Sequence, residues 1–174
     1  TLPSGPVLLA NVHQMTARRG LSELIRGAVL DASSVADFEA QQAMRLEESA
    51  VIREAIELNR GALPVIACGD FNTPSTSTAY RKIWGDFQNA FDTSGWGYGY
   101  TSPCRKGHSI WPDETPWARI DHILASPEWS IEDCAIGTKN GSDHRLITSK
   151  LVLRSLIDPL NSRRQPRKRV DGPA

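Results

Sequence analysis

Seven side chains have the types and spacing to hold a phosphate and a metal ion: Asn11, His13, Asp70, Asn72, Asp121, Asp143 and His144. They fall in four short motifs: Asn11-Val-His13, Gly69-Asp-Phe-Asn72, Arg119-Ile-Asp121 and Ser142-Asp-His144. Carboxylate oxygens suit Mg2+, which keeps several waters and takes only one or two protein carboxylates. A carboxylate that accepts the Nδ1 proton of a histidine leaves Nε2 free for proton transfer. A side-chain amide can donate to a phosphoryl oxygen as charge develops there. No Gly-x-Ser-x-Gly and no activated cysteine offers a covalent nucleophile, so metal-assisted attack by water is the simplest chemistry. Each motif also has a plain reading. Gly69-Asp-Phe-Asn72 can be a turn held by local Asp and Asn hydrogen bonds. Ser142-Asp-His144 can be an ordinary polar turn, and His13 alone can be structural. His108 and His122 have no matching partner and read as structural or surface residues. Joint placement, not any single motif, favours chemistry.

That placement depends on the elements. Pro6 to His13 is a short apolar run and reads as a buried strand. Ser34-Val-Ala-Asp37 has the form of a helix start with Ser34 as N-cap. Val51, Ile52, Ala55 and Ile56 give the following helix one apolar face, and Gly61 stops it. About 25 residues make it roughly 37 Å long. Leu63 to Cys68 is the next strand, so strand, helix, strand forms a right-handed crossover with parallel strands. Gly20 to Leu30 reads as a weak helix or loop, Thr76 to Trp84 as a short helix and Phe87 to Phe91 as a short strand. Residues 93–118 read as one long loop, a length that is often functional. Arg119–Ala125, Cys134–Thr138 and Arg145–Leu153 read as three more strands. The first two strands end on one rim with Asn11, His13, Asp70 and Asn72. If the Arg119 and Arg145 strands run antiparallel to them, Asp121, Asp143 and His144 reach that same rim within one mixed sheet.

The chain has 174 residues, 40% of them hydrophobic, with 20 Lys+Arg against 20 Asp+Glu. That suits one domain with a real core. Residues 163–174 hold five basic residues and one acidic, which leaves 15 basic and 19 acidic in the remainder. The division is therefore a domain at 1–157 and a basic, solvated tail at 158–174. The acidic body does not advertise nucleic-acid binding through bulk charge, although the tail could touch phosphate or an acidic membrane. No run approaches eighteen apolar residues, so no transmembrane helix is expected. Cys68, Cys104 and Cys134 lack zinc spacing. Cys68 reads as a small core residue; a disulfide between the other two stays open, and no compartment follows.

The motifs resemble the endonuclease/exonuclease/phosphatase superfamily, which includes pancreatic deoxyribonuclease, abasic-site endonucleases, inositol-polyphosphate phosphatases and bacterial sphingomyelinases. Asn11-Val-His13, Gly69-Asp-Phe-Asn72, Gly99-Tyr-Thr101, Arg119-Ile-Asp121-His-Ile and Ser142-Asp-His144 occur in the family's order, over about Val7 to Leu153. The resemblance implies a metal-dependent phosphodiesterase or nuclease-type hydrolase. Asp70 would orient or deprotonate the water, and Asn72 would bind the phosphoryl oxygen. His144 would contact the scissile phosphate, Asp121 would hold His144, and Asp143 would be a ligand for Mg2+ or Mn2+. Asn11 and His13 would contact the phosphate, with Tyr100, Thr101 and Arg119 as further substrate contacts. The substrate would be a phosphodiester or phosphomonoester; DNA, RNA, phosphoinositide and sphingolipid all stay open.

The family fold is a four-layer αββα sandwich of about 250 residues. This chain resembles its second half: an α/β (α+β) mixed sheet with helices on one face. The family's first-half Asn and its main Mg2+-binding Glu have no counterpart, so the isolated chain is expected to be weak or inactive. Thr1 is not a start methionine, and the chain is expected to begin inside a longer reading frame. One sheet face should be open, with alternating residues of Val7–Val12 and Leu146–Leu153 exposed beyond the ~300–600 Å² patch common on monomers. A homodimer or a separate first-half chain would cover it. The alternative is a non-catalytic truncated fold that self-assembles or needs a partner chain.

Overall fold

The computed structural model describes residues 5–16, 32–103 and 115–154. Nine elements follow in order: β1 (Leu8–His13), α1 (Ala32–Arg60), β2 (Val65–Asp70), α2 (Thr78–Trp84), β3 (Gln88–Asn89), α3 (Ala90–Ser94), β4 (Asp121–Ala125), β5 (Trp129–Lys139) and β6 (Arg145–Leu153). The expected segments at Gly20–Leu30 and 158–174, together with Cys104 and His108, lie outside the described residues.

One sheet has the order β1-β2-β4-β3. The β1–β2 pair is parallel, as the α1 crossover requires, and β4 runs antiparallel to both β2 and β3. Side chains alternate faces along a strand, so register assigns each residue to a side. Leu8, Ala10, Val12, Val65, Ala67 and Leu124 fall on one face. There they join Ile52 and Ile56 of α1 and Tyr80, Ile83 and Trp84 of α2, with Phe71 and Phe87, in the first core. Phe71 meets Trp84 edge-on, with ring centroids 5.2 Å apart.

Local chemistry sets the element ends. Ser77 caps α2 by accepting from the Tyr80 N–H, and Asn89 caps α3 by accepting from Phe91 and Asp92. That cap explains why the expected strand at Phe87–Phe91 shrinks to two residues and turns into a helix. Ser34, expected to start the helix as its N-cap, lies within α1, which runs from Ala32. The apolar face of α1 is also narrower than the sequence implies. Ile52 and Ile56 face the core, whereas Val51 is 60% exposed and Ala55 lies on the solvent side.

The expectation of a single sheet needs correction. β6 pairs with β5 alone, in a separate two-stranded ribbon bent by two register shifts. Eight residue pairs with β5 satisfy β6 within the hairpin, and it makes no ladder with β4. The ribbon turns Ile131, Cys134, Ile147, Leu151 and Leu153 onto a second core with Ala90, Phe91, Ile66, Ile123 and Ala125. Ile66, Ile123 and Ala125 lie on the sheet face opposite the long helix, so the ribbon covers part of the face expected to be open. Its inward apolar residues are buried or half-buried, and Leu146, Thr148 and Lys150 point outward. On β1 the uncovered residues are Leu9, Asn11 and His13, with Leu9 64% exposed. Among the described residues, no helix is long and apolar enough to cross a membrane.

Gly69 fixes how closely β1 and β2 approach. Its φ is +137°, and a Cβ there would sit 2.0 Å from the Val12 carbonyl oxygen. Gly69→Ala should therefore lower unfolding free energy by at least about 1–3 kcal/mol, the cost of backbone strain alone. A urea midpoint equal to that of the wild type would contradict this packing.

Candidate active site

Three strands place three side chains in one row. His13 pairs with Asp70 across β1–β2, and Asp70 pairs with Asp121 across β2–β4. Directly paired residues share a face, so all three project from the face opposite α1 and α2; the expectation of helices on one face alone fails at α3, whose Ala90 and Phe91 pack on the site's side of the sheet. The next row inward is Asn11, Cys68 and Ile123. Asn11 therefore stands one row away from the carboxylates, exposed to solvent. Cys68 beside it is half-buried, and burial pushes its thiol pKa up, which suits a packing role.

His144 enters from the ribbon. Its Nδ1 lies 2.8 Å from Asp121 Oδ2 and 3.1 Å from Oδ1. An ionised carboxylate only accepts, so Nδ1 carries the proton and Nε2 is the acceptor. Nε2 lies 3.1 Å from Ser102 Oγ and 3.9 Å from Asp70 Oδ2. His13 Nε2 lies 4.0 Å from the same Asp70 oxygen, on a side chain 82% exposed.

Asp70 is the hub. Its Oδ1 accepts from the Asn72 backbone N–H at 2.8 Å, and its Oδ2 accepts from Asn72 Nδ2 at 3.0 Å. Asn72 Nδ2 also donates to the Gln14 carbonyl at 2.7 Å. Burial raises the Asp70 pKa; the Asn72 N–H opposes this, Asp121 adds to it, and His144 and His13 pull it down.

Donor atoms of Asp70, Asp121 and His144 lie within 4.8 Å of one another. Two carboxylates and an imidazole are ligands a hard divalent cation accepts. The push of Asp121 on Asp70 is one that a cation between them would relieve, so the residues fit such an ion. Asp143 is half-buried next to His144 and adds no atom to that group.

The three further substrate-contact candidates are already engaged. Thr101, expected to contact substrate, is 0% exposed. Its Oγ1 accepts from the N–H groups of Ile120 and Asp121, both at 3.3 Å, and its carbonyl accepts from Arg145 N at 2.8 Å. It thus ties the start of β4 to the start of β6, beside both Asp121 and His144. Arg119 donates to Ser75 Oγ at 2.8 Å, pairs with Asp92 and lies 4.8 Å over the Phe91 ring. Tyr100 contributes its carbonyl to Arg145 Nη1 at 3.4 Å.

Sequence reading missed Ser102 and Gln14. Ser102 meets His144 across 42 positions, and no local pattern marks it. Gln14 follows the Asn11-Val-His13 motif; its N–H donates to Asp70 O at 2.9 Å and its amide to Ser49 Oγ. His122 is structural, as expected, and fully buried. It is well paired, however, with Asn89 Nδ2 at 3.1 Å and Thr73 O at 2.9 Å.

The model of the Endonuclease/Exonuclease/phosphatase family matches residues 33–144. No curated protein matches the chain. Among solved structures, a functionally unknown conserved protein from Enterococcus faecalis V583 is 20% identical with a TM-score of 0.57, covering 86% of this chain and 51% of that one. A mannosyl-6-phosphatase from Bacteroides thetaiotaomicron is 22% identical with a TM-score of 0.50, covering 71% and 48%. An endonuclease/exonuclease/phosphatase from Bacteroides vulgatus is 25% identical with a TM-score of 0.50, covering 63% and 44%. The chain therefore spans about half the length of these structures. The mixed α/β fold expected from the motifs is the fold they share.

His122 makes stability depend on pH. Burial pushes its pKa down to about 4, only partly opposed by the Thr73 hydrogen bond. Below the unfolded value of 6.5 the unfolded chain binds a proton that the folded chain does not, so stability falls as pH falls through that window. Between pH 7 and pH 4.5 this group should remove on the order of 2 kcal/mol. Urea unfolding in a chelator should show a smaller pH dependence for His122→Gln than for wild type; equal pH dependence would refute the assignment.

Proposed function

This chain belongs to the endonuclease/exonuclease/phosphatase family, and from that premise we propose that it hydrolyses phosphate esters, with water as nucleophile and Mg2+ or Mn2+ as cofactor. The observation that carries the reading is the row His13, Asp70, Asp121 with His144 locked onto Asp121. Asp70 and Asp121 are the carboxylates that would hold the cation; Asp143, next to His144, adds no atom to that group and is the further ligand that the family resemblance implies. Bound there, it would neutralise charge on the phosphoryl group.

The chain's own residues divide the remaining work. Asp70 orients the attacking water and takes its proton, a role that fits a carboxyl whose pKa burial has raised. Asn72 first holds Asp70, since both of its amide protons lie on Asp70 and Gln14. It reaches a phosphoryl oxygen by exchanging one of these partners. His144 keeps Nε2 for the phosphate or the leaving group, with the Ser102 hydroxyl on that nitrogen until substrate displaces it. The imidazolium forms when Nε2 takes a proton from solvent; Asp121 stabilises it, and Nε2 then gives that proton to the leaving oxygen. His13, exposed on the row's outer end, meets the phosphate from the β1 side, and Asn11 lies inward of it.

The substrate's non-reacting part would rest on the loop before Ser102. Trp96 is 95% and Tyr98 80% exposed there, and Tyr98 stacks on Tyr100 with the rings 9° from parallel. A nucleobase would stack on such a surface, which makes DNA or another nucleotide ester a natural choice. In this reading the 174-residue chain works slowly alone, because the family's main metal-binding Glu has no counterpart in it. A second reading, a non-catalytic fold that pairs with a copy of itself or a first-half chain, draws on the exposed Leu9 and Leu146.

Hydrolysis of bis(p-nitrophenyl) phosphate with Mn2+ or Mg2+ separates the two. Asp70→Ala and His144→Ala should each lower the wild-type rate by at least about 100-fold. Equal rates for all three proteins would remove the assignment and leave the assembling fold.

A further inference from the structure

The least ordinary backbone in the site belongs to Asn72. Its φ is +48°, the one described non-glycine residue in the left-handed region. That conformation is unfavourable for an L-residue, and Asn tolerates it better than most. It is also what lets one residue serve both oxygens of Asp70, through its backbone N–H and its side-chain Nδ2. Something must hold the chain there, and the hydrogen bonds within the Asp70–Asn72 pair account for only one side of the turn.

The other side is held from the helical layer. Arg45 of α1 donates from Nη2 to the Asn72 carbonyl at 2.5 Å and to Thr73 Oγ1 at 2.7 Å. His122 donates from Nε2 to the Thr73 carbonyl at 2.9 Å, and its Nδ1 accepts from Asn89 Nδ2 at 3.1 Å. Asn89 Nδ2 also donates to Tyr80 OH at 2.7 Å. Two consecutive carbonyls and one hydroxyl, all in the turn after Asp70, are thus gripped by two residues distant in sequence. His122 follows Asp121 directly on β4, so one strand sends Asp121 to the site face and His122 to the turn's underside.

We propose that Arg45 and His122 are positioning residues that hold the Asn72–Thr73 turn, and through it the Asp70 carboxylate, in the geometry hydrolysis requires. The proposal rests on the hydrolase reading of the rim. Neither residue touches the substrate's side of the sheet. Arg45 is suited to the task because its guanidinium is a fixed, planar fork that serves two acceptors at once. A lysine at position 45 keeps the charge and much of the stem but loses the planar fork. Ordinary helix-to-loop packing would need neither the charge nor the fork.

The test uses the full chain with two readouts: metal-supported phosphodiester hydrolysis, and the Asn72 side-chain NH2 signals in an NMR spectrum recorded with a chelator. Arg45→Met should lower kcat at least about tenfold with little change in KM, because it misplaces a catalytic group rather than removing a substrate contact. The same variant should shift the Asn72 NH2 signals. Arg45→Lys should recover part of kcat and part of the shift, and His122→Gln should act in the same direction as Arg45→Met. Arg53→Met, on the same helix but paired with Asp86, should leave both readouts at wild-type values. Wild-type kcat together with unmoved Asn72 signals in Arg45→Met would overturn the proposal. Should Arg45→Met not fold, wild-type values in Arg45→Lys would overturn it equally. Should the wild type show no metal-dependent turnover, the hydrolase reading fails by itself, and unmoved Asn72 signals in the Arg45 variants would still dispose of the positioning claim.

Discussion

β2 is hydrogen-bonded in register on both flanks, and the site exists because of that pairing. Parallel pairing sets His13 beside Asp70, and antiparallel pairing sets Asp121 beside Asp70. Neighbouring strands stand about 4.8 Å apart, so Asp70 and Asp121 lie side by side, and together with His144 their donor atoms fall within 4.8 Å of one another. A slip of one residue on either flank would send a member of the row to the helical face. The close approach of Gly69 to Val12 helps to fix that register. Two like charges in one row oppose each other; burial is the main cause of the raised Asp70 pKa, and the charge on Asp121 adds to it.

The layers on the two faces then do different work. On the helical face, Trp84, Phe71 and Leu124 fill the core; the Trp84 indole N–H finds no partner there, whereas Tyr80, Asn89 and His122 enter it paired. His122 is the clearest case, buried and neutral between Asn89 and Thr73. On the opposite face the ribbon supplies His144, and Thr101 couples ribbon to sheet through Asp121 N and Arg145 N. Asp121 and His144 thus keep their contact although they come from separate sheets.

Sequence made some of this legible. Asp70, Asn72, Asp121 and His144 are readable because short motifs end or begin strands, and the crossover rule makes β1 and β2 parallel. β6 was harder: the sequence places its polar entry at the rim but does not say which strand satisfies its backbone. Hairpin pairing with β5 and sheet pairing with β4 present the same alternation. Ser34 has the chemistry of a cap, yet helix begins ahead of it at Ala32, and nothing local separates those starts. Ser102 and Thr101 gain their roles from contacts 42 and 20 positions away, a kind of information that no local pattern contains. Arg119 looks like a substrate contact until its pairing with Asp92 and Phe91 is seen.

Hydrolysis by this chain would turn on a divalent cation binding at the Asp70–Asp121–His144 end of the row. The most direct measurement is an anomalous-difference map from crystals of the chain soaked in Mn2+. The predicted result is a peak within coordination distance of Asp70 or Asp121 carboxylate oxygens, absent from crystals of Asp70→Ala. A peak elsewhere on the molecule, with none at the row under saturating Mn2+, would contradict the account.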